Sequence, residues 1–222
     1  MINNGHIIIG GTGRAGSTAL MTLISLIDER LTGFDLTDLE KVKYSIGNAG
    51  LEISVDKIIK GDNLPLVIKN PAIHAFFETL ISVKKIKLSR IVIPIRDLDD
   101  AKNSRVNVSR KYLSSLRFTK KIKALMLYFY YIYIKKDPNW SLGDGGINFR
   151  YPSTSTNINA GLLYNVYRLC YMASKNSIPI TFIEFPQFVR DRNYCKRQLS
   201  EFLDFEIEKF DQAFDRMKIY KG

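Results

Sequence analysis

Residues 7–18, IIIGGTGRAGST, constrain the fold more than any other stretch of this chain. Ile7, Ile8 and Ile9 read as a buried strand, and the glycines that follow demand a tight turn. Ser17 then opens STALMTLISLI, an apolar sequence with helical spacing over Ser17–Ile27. Strand, glycine-rich turn and helix in that order aim backbone N–H groups and the positive end of a helix at one point, which suits an anion. The spacing Gly11–x4–Gly16 followed by Thr18 fits the phosphate-binding P-loop, but Ser17 stands where that loop has lysine.

The rest of the chain repeats the alternation. Ile- and Val-rich runs at His6–Gly10, Leu64–Lys69, Arg90–Ile95 and Ile178–Glu184 are almost continuously apolar, as strands covered on both faces are. Helical patterns lie between and after them, at Ala72–Val83 behind Pro71, at Leu98–Arg105, Ile158–Lys175 and Asn193–Leu203. The expectation is one α/β domain over residues 1–222, a parallel sheet flanked by helices in a P-loop NTPase-like three-layer α/β/α arrangement, with sites at the carboxyl ends of the strands. The long turn-rich stretch Asp137–Thr156 reads as a functional loop or lid.

Composition narrows the partners. The formal net charge is +11, from 33 Lys and Arg against 22 Asp and Glu, which favours an anionic ligand, partner or surface. The two cysteines, Cys170 and Cys195, form no metal-type or disulfide-type spacing, so a reducing, cytoplasmic setting is expected and no metal site. The start, MINNGHIII, reads as a first strand and not as a signal peptide. The longest apolar run, Ala124–Ile134, spans only about half of a ~30 Å hydrocarbon core, so it reads as a buried helix or cleft wall and not as a transmembrane segment.

Without the loop lysine, the anion contacts fall to the backbone around Gly13, Ala15 and Gly16, to the hydroxyls of Ser17 and Thr18, and to Arg14. A second segment, IVIPIRDLDDAKNSR, sets Arg96 at a strand end and Ser104 eight residues on, in the next helix. Together, GTGRAGSTAL and IVIPIRDLDDAKNSR resemble the 5′- and 3′-phosphate-binding segments of sulfotransferases that use 3′-phosphoadenosine 5′-phosphosulfate (PAPS). VIKNPAIH resembles that family's Lys-x-Pro segment, and ITFIEFPQFVRDRNYCKRQLSEFLDF its last strand and following helix. The four segments occur in the family's order and span most of the chain.

The resemblance implies a transferase that needs no triphosphate clamp and no metal. It implies that Gly13, Arg14, Ala15, Gly16, Ser17 and Thr18 hold the 5′-phosphate. Arg96 and Ser104 would hold the 3′-phosphate, and Lys69 would act with Arg14 on the transferred group. The family's Lys-Thr-His pattern is replaced by Lys69-Asn70-Pro71, and its late basic glycine loop has no clear copy. The base must then come from elsewhere. Asp35 is the first candidate, His74 the second, with Asp38 and Glu40 behind them. The expected acceptor is a hydroxyl, or an amine, on a carbohydrate or other small molecule, an anionic one included. The basic stretch Arg105–Lys123, with Arg117 and Lys121 on one helix face, adjoins the aromatic run Tyr128–Tyr133 and could hold such an acceptor. Two other readings are open at this level. One is a P-loop kinase-like enzyme, which lacks its lysine; the other, less favoured, is a basic nucleic-acid-binding protein.

Overall fold

The isoleucine and valine runs form one sheet. A computed structural model describes residues 5–11, 15–36, 51–71, 73–104, 107 and 155–219. Within them β1 (His6–Ile9), β2 (Val67–Lys69), β3 (Leu88–Ile95) and β4 (Ile180–Glu184) pair in parallel in the order β2–β1–β3–β4. Ile8 faces Ile68 on one side and Ile91 on the other, so the strand entering the glycine turn is central. The α/β class expected from the sequence is therefore the observed one.

Period-two alternation splits the strand side chains between two apolar layers. Ile7, Ile9, Val67, Val92 and Ile183 point into the layer formed with α1 (Ser17–Ile27). Ile8, Ile68, Ile91 and Ile93 point into the layer formed with α3 (Val55–Lys60), α4 (Ile73–Val83) and α5 (Ser155–Lys175). Short helices α2 (Glu29–Thr32) and α6 (Gln187–Arg190) lie at connections. The chain ends with α7 (Arg192–Ser200) and α8 (Ile207–Ile219) on the α1 side, where Phe210 and Phe214 are fully buried. Burying each such side chain contributes about 1.5–3 kcal/mol, so α8 is integral to the core. Among the described residues no helix is long and apolar enough to cross a membrane.

After β1 the chain enters the α1 layer, whereas α3, just before β2, packs in the other layer, which the chain also enters after β2 through α4. The chain leaving β1 and the chain leaving the neighbouring β2 thus enter opposite layers at the carboxyl edge, where open α/β sheets hold ligands. Pro94 is tolerated in β3 because of its position. Its missing N–H lies on the β1 side, beyond Gly10, whose N–H bonds the Val92 carbonyl and closes the β1–β3 ladder.

Gly13, Arg14, Asp38, Glu40, the apolar run 124–134 and loop residues 137–154 lie outside the described residues, as does the basic stretch 105–123 apart from Asn107. At the end of the expected loop, Ser155 already begins α5.

Candidate functional site

The first half of the site is the turn after β1. Gly16 adopts φ +90° and ψ 8°, the left-handed region, and caps α1 without any side-chain hydrogen bond. Glycine is needed there twice over, because a Cβ would also fall 2.4 Å from Cδ2 of Phe185. The first intrahelical bond of α1 is Leu20 N–H to the Gly16 carbonyl, so the amides before Leu20 have no helical acceptor. No acidic side chain stands in that first turn. Ser17 is buried beside Ala15, and Thr18 follows one residue later.

The second half arrives on β2. Lys69 ends that strand with its side chain fully buried, and its ammonium donates to Thr18 Oγ1 at 3.0 Å and to Glu52 Oε1 at 3.3 Å. Residues 51–53 are held there by the backbone and by Asn70. Ile53 N–H bonds the Lys69 carbonyl, Asn70 Nδ2 donates to the Ile53 carbonyl at 2.9 Å, and Asn70 N–H bonds the Ile9 carbonyl. One buried asparagine thus ties β1, β2 and the Glu52 segment together. The buried Lys69 ammonium and the amino end of α1 thus both present positive charge at the carboxyl end of β1.

Arg96 follows β3. Its guanidinium lies 5.1 Å from the centre of the Phe185 ring and 3.4 Å from Asp100 Oδ2, while Nε is buried with no hydrogen-bond partner. Phe185 is fixed by its own N–H, which donates to the Ile95 carbonyl at 2.7 Å. The same ring therefore backs both Gly16 and Arg96. Asp97 caps the helix that begins at residue 98, accepting from Asp100 N–H at 3.0 Å, and Ser104 is helical as well. An orphaned guanidinium donor and a cation beside the α1 N-terminus fit a ligand with two anionic groups, as the two phosphates of PAPS are.

The structure brings Ala15, Gly16, Ser17, Thr18 and Lys69 together and sets Arg96 behind the same ring. It does not bring Asp35 there. Asp35 is exposed and shares a recess with Asp28, Lys209 and Arg216, at the far end of α1 and about 15 Å along that helix from its first turn. His74 is buried in the first turn of α4, with Nδ1 3.2 Å from the Pro71 carbonyl. A carbonyl only accepts, so Nδ1 carries the hydrogen of that contact. Among the described residues the carboxylate paired with Lys69 is Glu52, which the sequence pattern does not single out. No three His, Cys, Asp or Glu side chains cluster as metal ligands among the described residues.

The fold is that of an α/β protein, with the amino end of α1, Lys69 and Arg96 at the carboxyl edge of its sheet. Compared with known proteins, the chain matches no family model, no curated sequence and no solved structure.

Proposed function

We propose that this chain is a sulfotransferase that moves a sulfuryl group from PAPS to the hydroxyl of a carbohydrate or small alcohol. The observation that carries the reading is the buried Lys69 ammonium on the Thr18 hydroxyl in the first turn of α1. In a P-loop kinase the hydroxyl at that position holds magnesium. Here it faces an ammonium 3.0 Å away, which would repel a divalent cation. The loop lacks the Walker lysine, and a cation from β2 meets it instead.

The α1 amides and Ser17 hold the 5′-phosphate in this reading, and Arg96, with Ser104 by family resemblance, takes the 3′-phosphate. Glu52 removes the proton of the acceptor hydroxyl as its oxygen bonds to sulfur. Lys69 and the α1 amides carry the negative charge left on the departing phosphate oxygen. The two cysteines, both free thiols, fit a cytoplasmic setting.

Thermal shift with 3′-phosphoadenosine 5′-phosphate (PAP), AMP, and ATP with magnesium tests the reading. PAP should stabilise most, AMP much less, and EDTA should leave sulfuryl transfer intact. Arg96→Ala should weaken PAP by about 2 kcal/mol, a lost charge-assisted contact. Equal shifts from PAP and AMP, or a strict need for magnesium, would overturn it.

A further inference from the structure

Two side-chain atoms among the described residues are buried without a hydrogen-bond partner: Arg96 Nε and Asn165 Oδ1. Native proteins satisfy nearly all buried polar groups, and an orphan costs stability that something must offset. Arg96 is explained by the anion it is proposed to hold. Asn165 has no place in that scheme.

Asn165 lies on α5 and is 4% exposed. Leu169, one turn later on the same helix face, presses on the end of β1, where a Cβ on Gly10 would sit 3.0 Å from Leu169 Cδ2. The C-terminal end of α5, Lys175, lies only a few residues before Ile180, the first residue of β4, so the helix runs from the carboxyl edge of the sheet toward its amino edge. Asn165 therefore stands about 6 Å further toward the carboxyl edge than Leu169, on the same side of the helix. Its helix packs, through Leu169, Met172 and Ala173, in the layer opposite α1.

An amide oxygen only accepts, as do the phosphate oxygens of a nucleotide at neutral pH. The group that satisfies it is an O–H or N–H donor and not an anion. Leucine would fill the same space without stranding an acceptor, so asparagine is explained by what it recognises. We infer that Asn165 is a recognition residue of the carboxyl-edge site, accepting a hydrogen bond from a neutral O–H or N–H of the bound ligand. This rests on the reading of the glycine turn as a nucleotide site. The donor is either on the nucleoside of PAPS, a ribose hydroxyl or the adenine amine, or on the hydroxyl acceptor.

Asn165→Leu and Asn165→Ala separate these sources. Melting temperature, calorimetric binding of PAP, and transfer of labelled sulfate from PAPS to a panel of methyl glycosides are measured for each. The Leu variant should melt at or above wild type, by up to about 2–4 °C, because a stranded acceptor is gone. A nucleoside donor appears as an at least ~10-fold loss of PAP affinity in both variants. An acceptor donor appears as intact PAP binding with an at least ~10-fold loss of kcat/KM for the glycoside. The inference is overturned if both readouts stay at wild-type level, or if Asn165→Leu melts well below wild type, which marks a structural role. If wild type ignores PAP but is stabilised by ATP or AMP, the sulfotransferase reading fails, and the binding arm runs with that nucleotide under the same criterion. If no nucleotide binds, both fall.

Discussion

Lys69 Nζ stands 3.0 Å from the Thr18 hydroxyl, so a fully buried ammonium and the positive end of α1 converge on one point. In the proposed transfer both would act on negative charge, which on the departing oxygen is greatest in the transition state. Lys69→Ala should therefore lower kcat by about 10²–10³ while changing the KM for PAPS far less. Steady-state kinetics with labelled PAPS make the measurement. Near-normal turnover would mean that the ammonium serves the fold alone.

Glu52 pairs with that ammonium at 3.3 Å, and in the proposed transfer it would also be the base. As the base, it should cost at least ~10² in kcat when changed to Gln, with PAP still bound. Asp35→Asn, at the far end of α1, should leave kcat unchanged. As a partner of the buried ammonium, Glu52 contributes to the fold, and Glu52→Gln should destabilise the free protein by about 1–3 kcal/mol, read as a lower melting temperature. An unchanged melting temperature would show that this ion pair adds nothing to stability.

The sheet was legible because its strands are buried on both faces, which leaves Ile and Val runs that hardly depend on context. α1 was legible to the residue, since Gly16 before it and the apolar spacing within it are local signals. α3 carries local signals too, with the Ser54 side chain accepting from Lys57 N–H and Gly61 closing the helix, but six residues show too little periodicity to stand out. Glu52 was missed for a different reason. Nothing local sets LEIS apart; its place depends on Asn70, and on the Lys69 carbonyl, capturing the backbone of Ile53. Asp35 was the first candidate as the carboxylate nearest a presumed strand end in LTGFDLTDLEK, yet α1 carries the chain away from the glycine turn before reaching it. Asn165 was unreadable in the same way, since an asparagine in a polar-looking helix becomes notable only once its burial is known.

Gly16 and Phe185 form the contact that backs the turn. Gly16→Ala places a side chain at φ +90° and drives its Cβ into the Phe185 ring, 2.4 Å from Cδ2. About 1–3 kcal/mol of stability should be lost, read as a lower midpoint in urea with an unchanged slope. Phe185→Leu in the Gly16→Ala background should restore part of that loss, so the two changes should be non-additive. Strict additivity would show that the backbone strain alone sets the cost.

Cys195 gives the alkaline limb of the stability profile. It is 1% exposed in the α1 layer with Leu199 and Phe210, and burial, followed by the charge of Asp191, pushes its thiol up from 9.0 to about 12. Below pH 9 the thiol is neutral in both the folded and the unfolded chain, so its contribution is fully present and constant. Between pH 9 and about 12 the unfolded chain gives up the proton while the folded one keeps it, so stability falls as pH rises. Other groups titrate in that window, and a variant isolates the thiol. Between pH 8 and pH 10.5 the unfolding free energy of wild type should drop by about 2 kcal/mol more than that of Cys195→Val. Iodoacetamide gives an independent check at pH 8. Cys170 is only part-buried, although its thiol is also raised by desolvation, and it should be labelled slowly in the native protein while Cys195 is protected. Both should react on unfolding in urea. Equal native labelling of the two, or equal pH slopes for wild type and Cys195→Val, would place the Cys195 sulfur in contact with water and outside the core that joins α1 to α7 and α8.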